Sequence, residues 1–548
     1  MGEHHEEDGV PEGEYNAGTV EQEPLSTAQK YVLVLVLSIT ELMVAMEQTV
    51  VTASLPQITA ALGSADGYTW IGTAYLLATA AVITVYGKLS DIYGRKPMIL
   101  SAMGFFLIGS AISGAAKDMD MLIGGRALQG VGSGGIQGLV HIIASDMIPL
   151  HQRGLFMGFI GTTWMVASCI GPLIGGALTQ KGQWRWSFYL NLPIGGVALV
   201  AMTFILKIKR TKTAFFAGIR RIDFVGIVLS TAATCLLLLA LDWGGTKYAW
   251  GSKIVICFLV FSGVLFAAFL VYEALVSKEP LMPLMLFTGR TKAFSLFATF
   301  FHSISLMGVV YYLPFLFQSV YSQTPIMASV YVLPEAVIMG LTSALGGIVI
   351  NKTGRYHEMM MVGLGLTTAF IGLLSTLNPS SNVARRVTYP MLYGAPVGLN
   401  FQSFIISLQT RIEKKDIGVA TSAQSFIRVL GLSVGIAIGG VAFQNKVTEL
   451  AKQGGNETLE KLLSGNAPSS VNAIRKLPDT LKQTAIEYYS RAFQVMFYVM
   501  IGMAGAGFLC TLLIKQHSLR MQDEQEPQNQ PSKTEQPADS TTTNNSEV

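Results

Sequence analysis

Five ionisable residues stand where charge is expensive. Glu41, Glu47, Arg126, Glu335 and Arg428 all fall inside long apolar runs. A charged side chain at the centre of a hydrocarbon layer costs on the order of 3 kcal/mol unless it is paired or faces water. Protonation removes a carboxylate's charge, so such a group can take up a proton on one side of a membrane and release it on the other. Glu41 and Glu47 are six residues apart, about 600° around a helix, so they point roughly 120° apart. One of them is expected to face a cavity squarely. Glu335 is a further proton or cation candidate. Arg126 reads either as the partner of a proton-binding carboxylate or as a cation snorkelling to an interface. His141 and His302 are candidate relays, although a lone membrane histidine is more often a packing residue. Asp242 and Glu273 lie near the ends of their runs and suit interface roles.

The elements that must hold these groups follow from composition. The 548 residues are 51% hydrophobic and 13% charged, against about 25% charged in soluble domains. Fourteen apolar spans are predicted, at approximately 31–56, 70–87, 98–116, 121–145, 154–179, 187–206, 224–243, 254–275, 294–318, 325–350, 358–377, 388–409, 417–443 and 491–514. Many reach the roughly 20 residues that cross a bilayer. The runs are continuous rather than alternating, which excludes a β-barrel and disfavours nucleic-acid binders. The fold class is therefore an all-α membrane protein. No cleavable leader is predicted, because acidic and polar residues precede the first run. His4 and His5 in that acidic segment read as solvated, and no metal site is predicted. Cys169, Cys235, Cys257 and Cys510 lie in apolar runs without metal-ligand spacing and read as small buried hydrophobes.

Loops after even-numbered spans carry 18 Lys and Arg, and short loops after odd-numbered spans carry 7. Positive charge marks the cytoplasmic side, so both termini are expected there. Segment 444–490 becomes a long non-cytoplasmic loop carrying a glycosylation sequon at Asn456, with Val471, Ile474, Leu477 and Leu481 at the spacing of a short surface helix.

One connector is repeated. Gly87-Lys88-Leu89-Ser90-Asp91-Ile92-Tyr93-Gly94-Arg95-Lys96 returns at a constant offset of 260 as Gly347-Ile348-Val349-Ile350-Asn351-Lys352-Thr353-Gly354-Arg355-Tyr356. Asp91 has become Asn351. The copies follow spans 2 and 10, on the same side, so the repeat is parallel. A doubled six-span unit would place the second copy after span 8. Spans 7 and 8 are therefore an insertion. The predicted organisation is an acidic tail (1–30), a six-helix half (31–206), a basic linker (207–223), two inserted helices (224–275), a second six-helix half (276–514) and a polar disordered tail (515–548). Transporters built from repeated halves bind substrate near the midplane between them.

These motifs resemble the major facilitator superfamily, in its fourteen-span drug:proton antiporter branch of fungal style. Gly87-x-Leu89-x-Asp91-x-x-Gly94-Arg95-Lys96 is similar to the family's loop 2–3 motif. Leu122-x-x-x-Arg126-x-x-Gln129-Gly130-x-Gly132 resembles its span 4 motif. Gly171-Pro172-x-x-Gly175-Gly176 resembles its antiporter motif, with Ala167 where a glycine is usual. Met46-Glu47-Gln48-Thr49-Val50-Val51 resembles the span 1 motif, with Glu47 in place of Asp.

The resemblance implies that Asp91 and Arg95 form a charge contact latching the halves in the outward-facing state, weaker in the Asn351 copy. It implies that Glu47 with Arg126 couples to protons, leaving Glu41 for gating or cation binding. Ala167, Gly171 and Gly175 lie on one helix stripe that admits close packing. Pro172 cannot bond the carbonyl of Ser168, and together these features suggest a seal against leak. Substrate contacts are expected among Tyr75, Gln129, Trp164, Tyr311 and Tyr312, and among Asn400, Phe401, Gln402, Gln424 and Arg428. Arg428 is the sharpest of these, since a cation there could receive an anionic substrate or pair with an acid.

The expected activity is export of amphipathic small molecules, drugs or toxic metabolites by alternating access, driven by the proton gradient, without catalysis and without a cofactor. No phosphate-cradling loop for ATP is seen. Small-molecule substrate, protons and lipid are the expected partners of a monomer in the plasma membrane or, alternatively, the vacuolar membrane. Alternatives are a proton-coupled transporter of siderophores, a vacuolar transporter of basic amino acids, and a non-transporting sensor on the same scaffold.

Overall fold

A computed structural model describes residues 27–62, 67–148, 150–206, 223–244, 248–277, 284–410, 416–463 and 477–516, with residues 282, 412 and 474. The acidic segment before residue 27, the basic linker 207–222, Val471 and the polar tail after residue 516 lie outside the described residues.

Long helices follow one another as α1 (Thr27–Ala61), α2 (Gly67–Tyr93), α3 (Arg95–Gly114), α4 (Met119–Met147), α5 (Leu150–Gln180), α6 (Asn191–Ile205), α7 (Phe224–Trp243), α8 (Lys253–Leu275), α9 (Arg290–Val310), α10 (Pro325–Thr353), α11 (Tyr356–Ser375), α12 (Val383–Gln409), α13 (Ile417–Gln453) and α14 (Asp479–Leu512). Among the described residues, 13 helical stretches are long and apolar enough to cross a membrane. The predicted fourteenth, 121–145, is the 29-residue α4, which falls short on apolarity. Its Gly, Ser, Gln and Arg residues are buried by neighbouring helices instead. The glycines let those neighbours in. A Cβ on Gly130 would stand 2.3 Å from the Tyr75 carbonyl of α2, and one on Gly132 would stand 2.3 Å from the Phe106 nitrogen of α3.

The helices sort into two groups. In the first, α2 and α3 pack on α4, and α5 and α6 pack on α1. In the second, α9 packs on α13 and α14, while α12 packs on α10 and α11. The groups meet along two seams, α5 on α10 and α2 on α13. The pair α7–α8 covers the second seam, through contacts of α7 with α2 and α13. Val260, Phe261, Val264 and Val271 on α8 stay exposed, an apolar face suited to lipid.

Both copies of the repeated connector turn on a glycine of positive φ. Gly94, between α2 and α3, has φ +94°, and Gly354, between α10 and α11, has φ +71°. Only glycine enters this region without steric cost.

The described residues of segment 444–490 are largely helical. α13 runs on to Gln453 and α14 begins at Asp479. Between them, Glu457–Leu463 is a short helix, tied to α13 by the Gln444 amide donating to the Leu463 carbonyl at 2.7 Å. Of the expected surface helix, Ile474 is helical and buried, Leu477 lies at a bend, and Val471 is outside the described residues. Pro478 precedes the first turn of α14, and Leu481 belongs to that turn. Proline is well placed at a helix start and poorly placed inside one.

Candidate functional site

The first polar centre is built by five helices of the first group. Glu47 on α1 accepts from Arg126 of α4 at one carboxylate oxygen and from the Asn191 amide of α6 at the other. The ion-paired side chains are only 0% and 3% exposed. Arg126 also donates to the Ile71 carbonyl of α2 at 2.9 Å and to Gln129 at 2.7 Å. Gln129 in turn donates to Ser110 of α3 at 2.8 Å. The Arg126 guanidinium lies 4.3 Å from the Tyr75 ring centroid, and the Tyr75 hydroxyl donates to Ser133 at 2.6 Å. Both Glu47 oxygens and the Nε and Nη1 of Arg126 are hydrogen-bonded, which favours keeping two charges inside a protein. Arg126 does not snorkel. Gln129 and Tyr75, expected against substrate, are structural members of this network.

The small-residue stripe of α5 packs on α1. The Thr49 hydroxyl donates to the Ala167 carbonyl at 3.0 Å, and that of Ser54 reaches the Gly175 carbonyl at 3.4 Å. A Cβ on Gly171 would stand 2.0 Å from the Thr49 hydroxyl. Gly176 instead faces Ile326 of α10. Pro172 lies within a continuous α5.

At the end of the bundle expected to face the cytoplasm, Arg95 bonds Asp91, and it bonds Asp146 at 2.8 Å. It also donates to Ser90 at 2.5 Å. Lys96 donates to the Thr203 carbonyl of α6 at 2.6 Å. All these partners belong to the first helix group. The opposite half reaches them through Gly418, at the start of α13, where a Cβ would stand 3.1 Å from Arg95 and 3.4 Å from Asp91. Carboxylates are favoured beside a helix N-terminus. Gly87 faces Ser422 of α13, with 2.0 Å from a Cβ to the hydroxyl. The Gln409 amide donates to Ser145 across the halves at 3.1 Å. In the second copy, Asn351 is exposed and Arg355 pairs loosely with Glu358 at 3.6 Å. The joint there meets the end of α14, where Gln516 donates to the Gly354 carbonyl at 2.6 Å.

Between the halves, Trp164 of α5 donates to Glu41 of α1 at 3.1 Å, and Glu41 senses the charge of Arg428 on α13. Trp164 also lines an apolar pocket with Gly161, Met339, Gly340, Ser343 and Phe401. Gln402 reaches Ser343 at 3.4 Å. Other expected cavity residues turn elsewhere. The Tyr312 hydroxyl donates to the Ile436 carbonyl at 2.9 Å within the second half. Asn400 packs on Gly363 of α11, where a Cβ would stand 2.2 Å from its amide oxygen. Tyr311 stands edge-on to Tyr312, its hydroxyl 3.9 Å from a Cβ on Gly72. Glu335 is buried against α12, its backbone beside Gly394. His141 bonds the Gln137 carbonyl at 2.9 Å, whereas both His302 nitrogens lack a partner.

Sequence reading missed Asn191, Ser110 and Asp146. Asn191 had a signal: it is a polar residue inside the predicted run 187–206.

The family model described as Major Facilitator Superfamily matches residues 37–436. An efflux pump, dotC, of Dothistroma septosporum is 37% identical over 89% of this chain and 84% of its own length. The transporter of an acurin A biosynthesis cluster in Aspergillus aculeatus is 34% identical over 94% and 93%. Among solved structures, a bacterial homologue of the human lysosomal transporter Spinster, inward-facing and unoccupied, has TM-score 0.58 at 14% identity, covering 89% of this chain and 98% of that one. The human organic anion transporter TETRAN has TM-score 0.56 at 14% identity, covering 89% and 100%.

Proposed function

The chain belongs to the major facilitator superfamily, and on that premise we propose that it is an exporter of amphipathic small molecules working by alternating access. Relatives named as efflux pumps and secondary-metabolite transporters support export. The two seams, α5–α10 and α2–α13, are the surfaces about which one half rocks on the other.

The observation that carries proton coupling is the buried Glu47–Arg126 pair. A proton on Glu47 cancels its charge and loosens its hold on Arg126 and Asn191, which rearranges α1 against α4 and α6. Glu41 and Glu335 are further carboxylates open to the same exchange. The Asp91–Arg95–Asp146 cluster, seated on the start of α13, holds the cytoplasmic ends together until the inward-facing state forms. Orientation follows the cation bias, with a monomer in the plasma membrane. Asn456 on the outer side, which caps the helix Glu457–Leu463, is the glycan acceptor.

The test is export by the full chain in proteoliposomes with an imposed pH gradient, screening lipophilic toxins and aromatic acids. Gradient-dependent movement of cargo is expected, with Glu47→Gln uncoupled. No movement of any cargo across the panel, or unchanged pH dependence in Glu47→Gln, overturns the respective part of the reading.

A further inference from the structure

Glu41 stands on α1 and Arg428 on α13, in opposite halves, near enough for each to act on the other's charge. No hydrogen bond joins them. Glu41 keeps one oxygen bonded to Trp164 at 3.1 Å. Its other oxygen, Oε2, is buried without a partner, and so is Nη2 of Arg428. Gln424, one helical turn before Arg428, has an unpartnered buried amide oxygen, and His302 has two unpartnered ring nitrogens. A buried polar group without a partner is destabilising, and a polar occupant is one way such a group is satisfied.

The contrast with the other buried pair is direct. Glu47 and Arg126 are saturated by their own half. Arg428 is half-buried and keeps a donor open. Trp164 joins this polar spot to the apolar pocket it shares with Met339 and Phe401. The pocket is small, about 240 Å³ with the space open to solvent included, so a ligand reaches both spots as the halves part, and it must be apolar at one end and charged at the other. Its charge is set by the permanent cation. A positive head approaching Glu41 meets the Arg428 field, whereas a negative head meets an open guanidinium N–H and the edge of His302, which also senses Arg428.

We propose that Arg428 is the cargo-reading residue and that the cargo is an amphipathic organic anion. Its carboxylate or sulfonate takes the open N–H of Arg428, its aromatic body lies against Trp164 and Phe401, and Glu41 is the counter-ion it displaces. Glu41 then retains its bond from Trp164. This assignment rests on the exporter reading for its physiological meaning, but its test needs no transport.

The experiment measures equilibrium binding of radiolabelled naphthalene-2-sulfonate to the purified full chain. The sulfonate stays ionised at every working pH, which separates charge from protonation. The trimethylammonium analogue of the same ring competes in parallel. The native chain should prefer the sulfonate by at least tenfold. Arg428→Gln should weaken it tenfold or more, Arg428→Lys should restore part of the loss, and Glu41→Gln should tighten it severalfold. Thermal unfolding of each variant checks folding. If Arg428→Gln does not fold, the native preference and the Glu41→Gln gain still decide. The proposal falls if the native chain prefers the cation, if Glu41→Gln abolishes binding, or if folded Arg428→Gln binds within twofold of native. Export in vesicles without Arg428-dependent binding removes only the anion assignment. Arg428-dependent binding without export removes the exporter reading.

Discussion

The Thr49 hydroxyl lies 2.0 Å from where a Cβ on Gly171 would stand, so α1 and α5 meet at this level only because position 171 has no side chain. Gly171→Val must push the helices apart. Overpacking of this kind costs about 1–3 kcal/mol, and it opens the α1–α5 seam at the level of Glu47 and Glu41. The expected outcome is a lowered unfolding midpoint and loss of gradient-driven export. Thr49→Ala, which removes the clashing hydroxyl, should recover part of the stability in the double variant. Unfolding in detergent and vesicle export, read side by side, check both.

Glu47→Gln should destabilise more than its conservative appearance suggests. It leaves the Arg126 guanidinium, only 3% exposed, without a counter-charge, a loss of about 3–5 kcal/mol when one member of a buried pair is removed. Replacing both, Glu47→Gln with Arg126→Gln, should recover most of that stability while leaving export uncoupled. A double-mutant cycle on unfolding measures the coupling. Additive losses would mean that the pair contributes nothing as a pair.

Asn191 should prove as important as the residues of the recognised motifs. Its amide donates to Glu47, a charge-assisted bond with a net contribution of about 1.5–3 kcal/mol. Asn191→Ala should lower stability by that order and weaken coupling. Asn191→Asp, which sets a second carboxylate against Glu47, should be worse than alanine. Proton flux per exported cargo is the reading that separates a coupling defect from simple instability.

The cytoplasmic cluster should bias the conformational equilibrium modestly. The Asp91–Arg95 pair lies within one half, so what Asp91→Asn removes between the halves is the carboxylate's seat against the start of α13, worth about 1 kcal/mol at a helix N-terminus. Asp91→Asn should therefore shift the closed population by roughly fivefold. A disulfide pair at S145C and Q409C, where the native side chains are 3.1 Å apart, reports it in a background lacking the four native cysteines. Crosslinking should slow about fivefold in Asp91→Asn and stay unchanged in Asn351→Ala, whose position is exposed.

The sequence by itself determined the all-helical membrane architecture. That feature is local: apolar runs of bilayer length, joined in two places by a repeated connector whose glycines both take positive φ. It also picked out Glu47 and Arg126, because a charge inside an apolar run is costly wherever the chain folds. α4 shows the limit of apolarity as a signal, since a helix enclosed by other helices needs small and polar residues rather than lipid-facing ones. Only the tertiary structure decided which charge meets which. The 120° between Glu41 and Glu47 says that they look in different directions but not at what. Glu47 meets Arg126 and Asn191 from 79 and 144 residues away, while Glu41 looks across the halves to Arg428. Helical periodicity carries no information about such distances along the chain. That is also why Gln129, Tyr75 and Tyr312, plausible cavity residues by type, became part of the packing, and why Arg428, alone among the described residues, kept a buried charged donor open.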